Sequence, residues 1–421
     1  MSAISESSAL APFRVRSFRF QWPADLATSW AFEMENLILA WYVLVESRSV
    51  VMFTVFASLQ YIGTLFAPMF GVMGDRLGHR NMLCGMRGLY TVLATTLMTL
   101  IATGTLTPVL VMIIAAMMGL VRPSDIGVRY ALIGATMPGR YLVGATSIQR
   151  TTQDSARVAG ALSGAGLVAA LGMGWTYAVV ATLYLTSFTL VFKAGSELAS
   201  SRTATESARA ADASSAWRDL KEGAAYIWNT PVLLATMVLA FLVNATAFPQ
   251  FVALLPVVAK EVHHGGQPLL GAFVASGAFG SLVGSIVMSK IGVAFRPGRM
   301  MLVCCSLWFA ALFVFAQMSN PVLGMFVLFL GGVCQSAGLV PMYAILMRDT
   351  QPQFRGRVMG TRVMAIYGNL PGLLIAGPLI AHFGYQATAS LYCVFGVSAT
   401  LLIGAIWRGD LWRVSAPSNR R

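Results

Sequence analysis

The chain has 421 residues, 57% of them hydrophobic and only 11% charged, against roughly 25% charged for an ordinary soluble domain. So few charges cannot cover a water-facing surface, and at roughly 20 apolar residues per spanning helix the length holds about twelve spans. The net charge of +13, from 29 Lys and Arg against 16 Asp and Glu, gathers into no basic run, which excludes a nucleic-acid binder.

Met1 to Gln21 is Ser-rich and then basic, with no apolar stretch leading to a small-residue cleavage site, so no cleaved signal peptide is expected. Apolar stretches bounded by charge, Gly or Pro then predict spans at 20–45, 51–73, 82–103, 108–130, 143–171 and 175–192, followed by 231–256, 268–290, 299–317, 321–347, 358–383 and 386–407. All are expected to be helices, because backbone exposed to lipid must satisfy its own hydrogen bonds and no alternating strand pattern occurs. With both termini cytoplasmic, only Arg48 and Lys260 among the basic residues fall in outside loops, as the positive-inside rule requires. The basic balance therefore reflects topology.

Three domains follow: 1–193, an N-terminal six-helix bundle; 194–230, a cytoplasmic linker; and 231–421, a C-terminal six-helix bundle. The linker opens with a Ser/Ala-rich stretch that cannot bury a core. Its second part places Trp217, Leu220, Ala224, Ile227 and Trp228 on one helical face, the pattern of an interfacial amphipathic helix. The halves also repeat. Tyr130-Ala131 recurs as Tyr343-Ala344, Gly144 after Pro138 and Arg140 recurs as Gly360 after Pro352 and Arg357, and Gly172 recurs as Gly384.

The sharpest motif follows the second span and reads Gly71-Val72-Met73-Gly74-Asp75-Arg76-Leu77-Gly78-His79-Arg80. Its glycines permit a tight turn at the membrane surface, and Asp75 can accept hydrogen bonds from the N-terminus of a neighbouring helix and favour its positive dipole end. Together with the six-plus-six duplication and long central loop, this resembles the major facilitator superfamily, with His79 where Arg is commoner. The resemblance implies an all-α membrane protein of twelve transmembrane helices in two six-helix pseudo-repeats that rock around a midplane site.

Further fragments resemble the bacterial drug-efflux branch typified by the enterobactin exporter. They are Trp41 to Ser49, Asp219-Leu220-Lys221-Glu222-Gly223 with Tyr226, and Phe354-Arg355-Gly356-Arg357-Val358-Met359-Gly360. The fifth span departs from that branch, carrying Gly160, Gly164 and Gly166 without the usual proline; its glycines still allow close helix packing. The resemblance implies a proton-coupled exporter of a small drug-like or siderophore-like molecule, monomeric among the lipids of the bacterial inner membrane. A lysophospholipid or metabolite facilitator is the alternative, and a non-transporting receptor or assembly factor a remote one.

Charges inside spans mark where function concentrates, because each costs roughly 2.5–3.5 kcal/mol near the midplane. Asp25, Glu33 and Glu35 lie in the first span, Arg87 in the third, Arg122 and Asp125 in the fourth, and Arg150, Asp154 and Arg157 in the fifth. On a helical wheel Glu33 and Glu35 diverge to either side of Asp25, so the three cannot face one point. Glu33, near the middle of its span with no basic residue in that helix, is the first candidate for the coupling proton, ahead of Asp25, Glu35 and Asp154. A buried carboxyl can exchange a proton near neutrality, and lasting pairing with a buried arginine is the competing expectation.

Arg150, Asp154 and Arg157 share one face of the fifth helix and are expected in a charge network that draws in Arg122 or Arg87. If that face lines a cavity, its surplus arginine favours an anionic group. The second half supplies Asn244, Phe248, Phe251, Gln335, Tyr343, Tyr367 and Asn369, side chains suited to an adaptable apolar cavity or to plain packing.

Cys84, Cys304, Cys305, Cys334 and Cys393 sit in apolar stretches and read as small core residues. The His263-His264 pair has no third ligand and implies no metal. Phosphate-loop, HExxH and GxSxG motifs are absent from the sequence, so neither an enzyme nor a cofactor is expected, with a proton gradient as the energy source. Asp75→Asn removes a charge with little change of volume and is expected to slow cycling while leaving expression and substrate affinity near wild type. Initial exchange rates in vesicles check this, and undiminished rates would contradict it.

Overall fold

The computed structural model describes residues 11–66, 69–70, 73–74, 77–193, 213–291, 297–351 and 354–412. A 3-10 turn, Ala11–Arg14, leads into α1, Arg16–Ser47. Arg48 ends it in the left-handed conformation, and Ser49 then caps α2, Val50–Leu59, by accepting from the Met52 N–H at 3.2 Å. A 3-10 turn, Ile62–Phe66, follows α2. The third helix, α3, is His79–Ala102 and the fourth, α4, is Pro108–Thr136. Proline at the first turn of α4 is pre-set for the helix, and Thr107 caps it.

Gly139–Lys193 is one helical run broken at Gly172, where φ is 78° and ψ is 173°. The break gives α5 (139–171) and α6 (173–193). A linker helix, Ala213–Trp228, precedes α7 (231–262), whose regular part Pro231–Phe248 loosens into π-turns at Pro249–Ala253 and Val258–Val262. Next come α8, Gln267–Ile291, α9, Pro297–Gln317, and α10, Pro321–Arg348, which Asn320 caps. The helical segment Arg355–Val363 tightens at Met364–Gly368 and continues in Asn369–Ile406, which breaks at Gly384 into α11 (355–383) and α12 (385–406).

Among the described residues eight helices are long and apolar enough to cross a membrane. Two of these runs, 54 and 50 residues long, are the glycine-broken pairs and supply two spans each. The short apolar α2 and the acid-bearing α1 bring the total to twelve, and no strand occurs among the described residues. The fold is the expected all-α one, and the duplication is visible atom by atom. Gly172 and Gly384 share φ of 78° with ψ of 173° and 166°, a conformation open to glycine and strained for other residues. Four residues on, Thr176 donates to the Gly172 carbonyl at 2.8 Å, and Thr388 donates to that of Gly384 at 2.9 Å.

The chain divides into two compact units, Met1–Ala216 with Gly266–Ala275, and Trp217–Gly265 with Ser276–Arg421. In the first, α1 lies on α5, where Gly160 faces the Glu33 Cβ and the Trp30 carbonyl, and Gly164 faces Met34. In the second, α11 meets α7 through Gly368, against the Phe241 carbonyl, and Gly372, against the Ala245 carbonyl. Such stripes of small residues let helices approach closely where water provides no hydrophobic drive.

The linker helix forms, but its apolar residues do not share one buried face. Ile227 packs with Leu233, Leu346 and Val358, Tyr226 stacks on Phe354 at 4.5 Å, and Gly223 abuts the Arg357 carbonyl. Ala224 and Trp228, expected on that same face, point outward, Trp228 with 74% of its surface exposed. The helix therefore docks on the protein through 223, 226 and 227. The side chains of Trp217 and Leu220, and the Ser/Ala-rich stretch, lie outside the described residues.

A methyl group at Gly372 falls on the Ala245 carbonyl, whereas one at Gly134 meets nothing within 4 Å. Gly372→Ala is expected to cost about 1–3 kcal/mol and Gly134→Ala to be neutral. Thermal melting of both in detergent measures the difference.

Candidate functional site

The charges of the first unit fall into separate constellations, because α1 carries its acids at three different azimuths. Asp25 and Asp125 share Arg87 and Arg129. The Arg87 Nη2 is 2.9 Å from Asp25 and 3.3 Å from Asp125, and Arg129 reaches Asp25 at 3.5 Å and pairs with Asp125 one turn away. All four side chains are buried. Gln21 donates to the Arg129 carbonyl, and the Arg129 Nη1 donates to Ser29 at 2.8 Å. Two carboxylates and two guanidiniums sum to zero, so α1, α3 and α4 are fastened at this level without a net charge in the bilayer.

Glu33 faces α5, where the Arg157 Nε lies 3.7 Å away. Both side chains are half-buried. Glu35 faces α6 and is 2% exposed. It accepts from the Tyr177 hydroxyl at 2.6 Å and the Tyr184 hydroxyl at 2.7 Å. No cationic side chain is paired with it among the described residues.

Arg122 on α4 donates to the Gln60 Oε1 at 3.1 Å and lies on the Phe32 ring. It pairs with no carboxylate among the described residues, and its buried Nη2 has no hydrogen-bond partner. Arg150 and Asp154 pair at 3.2 Å, with the arginine two-thirds exposed.

The network expected on the fifth helix is therefore divided. Arg157 turns to Glu33, Arg150 holds Asp154, and Arg87 and Arg122 belong to other groups. A wheel locates the face of a helix but leaves the opposing helix undefined.

Arg129, Tyr177, Tyr184 and Gln60 join the site without having been singled out by sequence pattern. Asp125 and Arg129 stand at i, i+4, the spacing of a helical ion pair, and that signal was there to find. Tyr177 and Tyr184 stand two turns apart on one face of α6, with nothing local to mark them as carboxylate partners.

At the signature loop, Gly78 has φ of 85° and precedes α3. Arg80 donates to the Phe192 carbonyl at 2.9 Å, tying α3 to the end of α6, and His79 opens α3 beside it. Gly71, Asp75 and Arg76 lie outside the described residues, as do the side chains of Arg355, Gly356 and Gly360. Arg357 pairs with Glu222 of the linker helix at 2.7 Å.

The second unit places amides and aromatics in its interior. Asn369 donates to Asn244 at 2.9 Å, Ser281 donates to Gln335 at 2.6 Å, and Phe248 and Phe251 meet Trp308 edge to face. Tyr343 receives Arg362 on its ring at 4.0 Å.

The sequence profile of the Major Facilitator Superfamily matches residues 26–368. The chain belongs to this family. Solved structures share its fold at low identity. The nucleoside transporter NupG matches with a TM-score of 0.71 and 11% identity, covering 93% of this chain and 99% of that one. An auto-inhibited POT family peptide transporter matches with a TM-score of 0.71 and 13% identity, covering 96% and 99%. The human organic anion transporter MFSD10 (TETRAN) matches with a TM-score of 0.63 and 13% identity, covering 93% and 99%. No curated protein matches in sequence.

Removing one arginine from the buried quartet leaves two carboxylates sharing the other, with one negative charge uncompensated in the membrane. Arg129→Leu is therefore expected to cost about 3–5 kcal/mol, while Arg150→Gln, which removes a guanidinium two-thirds exposed to solvent, is expected to cost less. Thermal unfolding in detergent separates the two cases.

Proposed function

We propose that the chain is a proton-coupled secondary transporter that exports a small organic molecule across the bacterial cytoplasmic membrane by alternating access. The observation that supports this most is the set of acids and bases held inside the spans of the first unit. A fold needing only to sit in lipid gains nothing from such charges, each of which costs roughly 2.5–3.5 kcal/mol on insertion scales. Family membership supplies the transporter framework, and the fragments at Trp41 to Ser49, Asp219 to Gly223 and Phe354 to Gly360 support drug-like or siderophore-like cargo.

Coupling follows from the acids of α1. A protonated carboxyl meets an apolar surface far more cheaply than a carboxylate, so reorientation becomes conditional on proton or substrate occupancy. One pH unit supplies about 1.4 kcal/mol per proton, which sustains about a tenfold gradient of substrate. Both termini are assigned to the cytoplasm by the distribution of Lys and Arg.

Reconstituted vesicles with an acidic lumen test the reading, using ethidium and a catechol carboxylate as cargo and a labelled lysophospholipid as the competing class. Accumulation of either small molecule above equilibrium, abolished when the pH gradient is collapsed, is the expected result. Gradient-independent movement of the lysophospholipid alone would establish the facilitator reading. Binding without flux would establish a receptor and overturn transport.

A further inference from the structure

We propose that Glu35, held by Tyr177 and Tyr184, is the proton-binding carboxyl of the first unit, and that Tyr90 takes up the hydrogen bond displaced when the proton arrives. This rests on the proton-coupled reading above and names the site within it.

The inner ionisable groups of the first unit separate by what they touch. Asp25, Arg87, Asp125 and Arg129 close on one another. Glu33 is matched by Arg157, and Asp154 by Arg150. Glu35 alone among these acids has only neutral hydroxyls for partners, at 2.6 and 2.7 Å. Two hydroxyl donors leave a buried carboxylate without a direct ion pair, its charge offset only by Arg122 at a distance, so it can take up a proton without breaking a salt bridge. An acid already facing a guanidinium gains far less.

The groups around Glu35 fit this role. From α6 come Tyr177 and Tyr184. From α4 comes Arg122, within electrostatic reach of Glu35 yet bonded to Gln60. From α3 comes Tyr90, whose ring centroid is 5.6 Å from that of Tyr184 and whose buried hydroxyl has no hydrogen-bond partner. From α5, Arg157 turns instead to Glu33.

The hydrogen bonds balance through one rotation. A proton from water forms the new O–H bond on the Oε2 of Glu35, the atom that faced Tyr184, and the hydronium O–H bond breaks. The carboxyl then donates to the Tyr184 oxygen. That hydroxyl turns its own hydrogen away, and Tyr90 is the open acceptor beside it. Tyr177 continues to donate to the other oxygen. With Glu35 ionised, the inner acids Asp25, Glu33, Glu35 and Asp125 match Arg87, Arg122, Arg129 and Arg157 one for one. With Glu35 protonated, Arg122 is left one charge in excess.

The experiment is pH-difference infrared spectroscopy of the purified full chain in lipid vesicles, paired with gradient-driven ethidium accumulation. The wild type is expected to show a protonated-carboxyl stretching band. Glu35→Gln should abolish the band while Glu33→Gln keeps it, and Tyr177→Phe should move it to higher frequency by removing the donor from the carbonyl oxygen, with a smaller shift in Tyr184→Phe, which removes only the acceptor of the carboxyl O–H. Glu35→Gln should also reduce accumulation from about tenfold per pH unit to simple equilibration while exchange continues, which shows that the protein is folded. A band lost in Glu33→Gln and kept in Glu35→Gln overturns the proposal and leaves proton coupling standing. Wild-type flux indifferent to the gradient overturns proton coupling itself, and this site with it.

Discussion

The hydrocarbon interior offers no water, so every polar group placed there must find its partner within the protein. This requirement organises the first unit from the backbone outward. Helices satisfy most of their own amides. The quartet of Asp25, Arg87, Asp125 and Arg129 cancels its charge across α1, α3 and α4, and Trp22, Thr28 and Trp30 spend their polar atoms on Thr152, Ser187 and Ser163. With α1 bonded at successive levels to α4, α5 and α6, its acids are held where each one's surroundings decide its chemistry.

The second unit meets the same requirement largely with neutral amides and hydroxyls among its described residues. Asn244 with Asn369, Ser281 with Gln335, and Tyr392 donating to the Gly372 carbonyl at 2.7 Å satisfy the interior with neutral groups. Neutral hydrogen bonds of this kind impose no charge that must be cancelled elsewhere. The duplicated backbone, with its matching breaks at Gly172 and Gly384, thus carries two different interiors. Ionisable chemistry is concentrated in one of them, a division of labour within a repeated scaffold.

Much of this was legible in the sequence because lipid simplifies the code. Long apolar stretches are spans, and the predicted stretches ending near Gly172 and Gly384 coincide with breaks marked only by a change of φ sign. Gly160 and Gly164 also read correctly as packing positions, whereas Gly166 meets nothing within 4 Å. What could not be read was partnership. The sequence placed Glu33 and Glu35 on different azimuths, but the arginine opposite one and the tyrosines opposite the other come from helices more than a hundred residues away. The linker helix shows the same limit, since Ile227 and Trp228 fall in one broad apolar arc and only docking against Val358 and Leu346 decides which one is buried.

Charge compensation as the condition for holding acids inside the spans is tested most directly by thermal unfolding of a fully neutralised quartet. Asp25→Asn, Arg87→Gln, Asp125→Asn and Arg129→Gln combined in one chain are to be compared with each substitution alone. The combined variant should unfold at a higher temperature than any single one, because it leaves no uncompensated charge in the bilayer. Losses that simply accumulate from one substitution to four would contradict it.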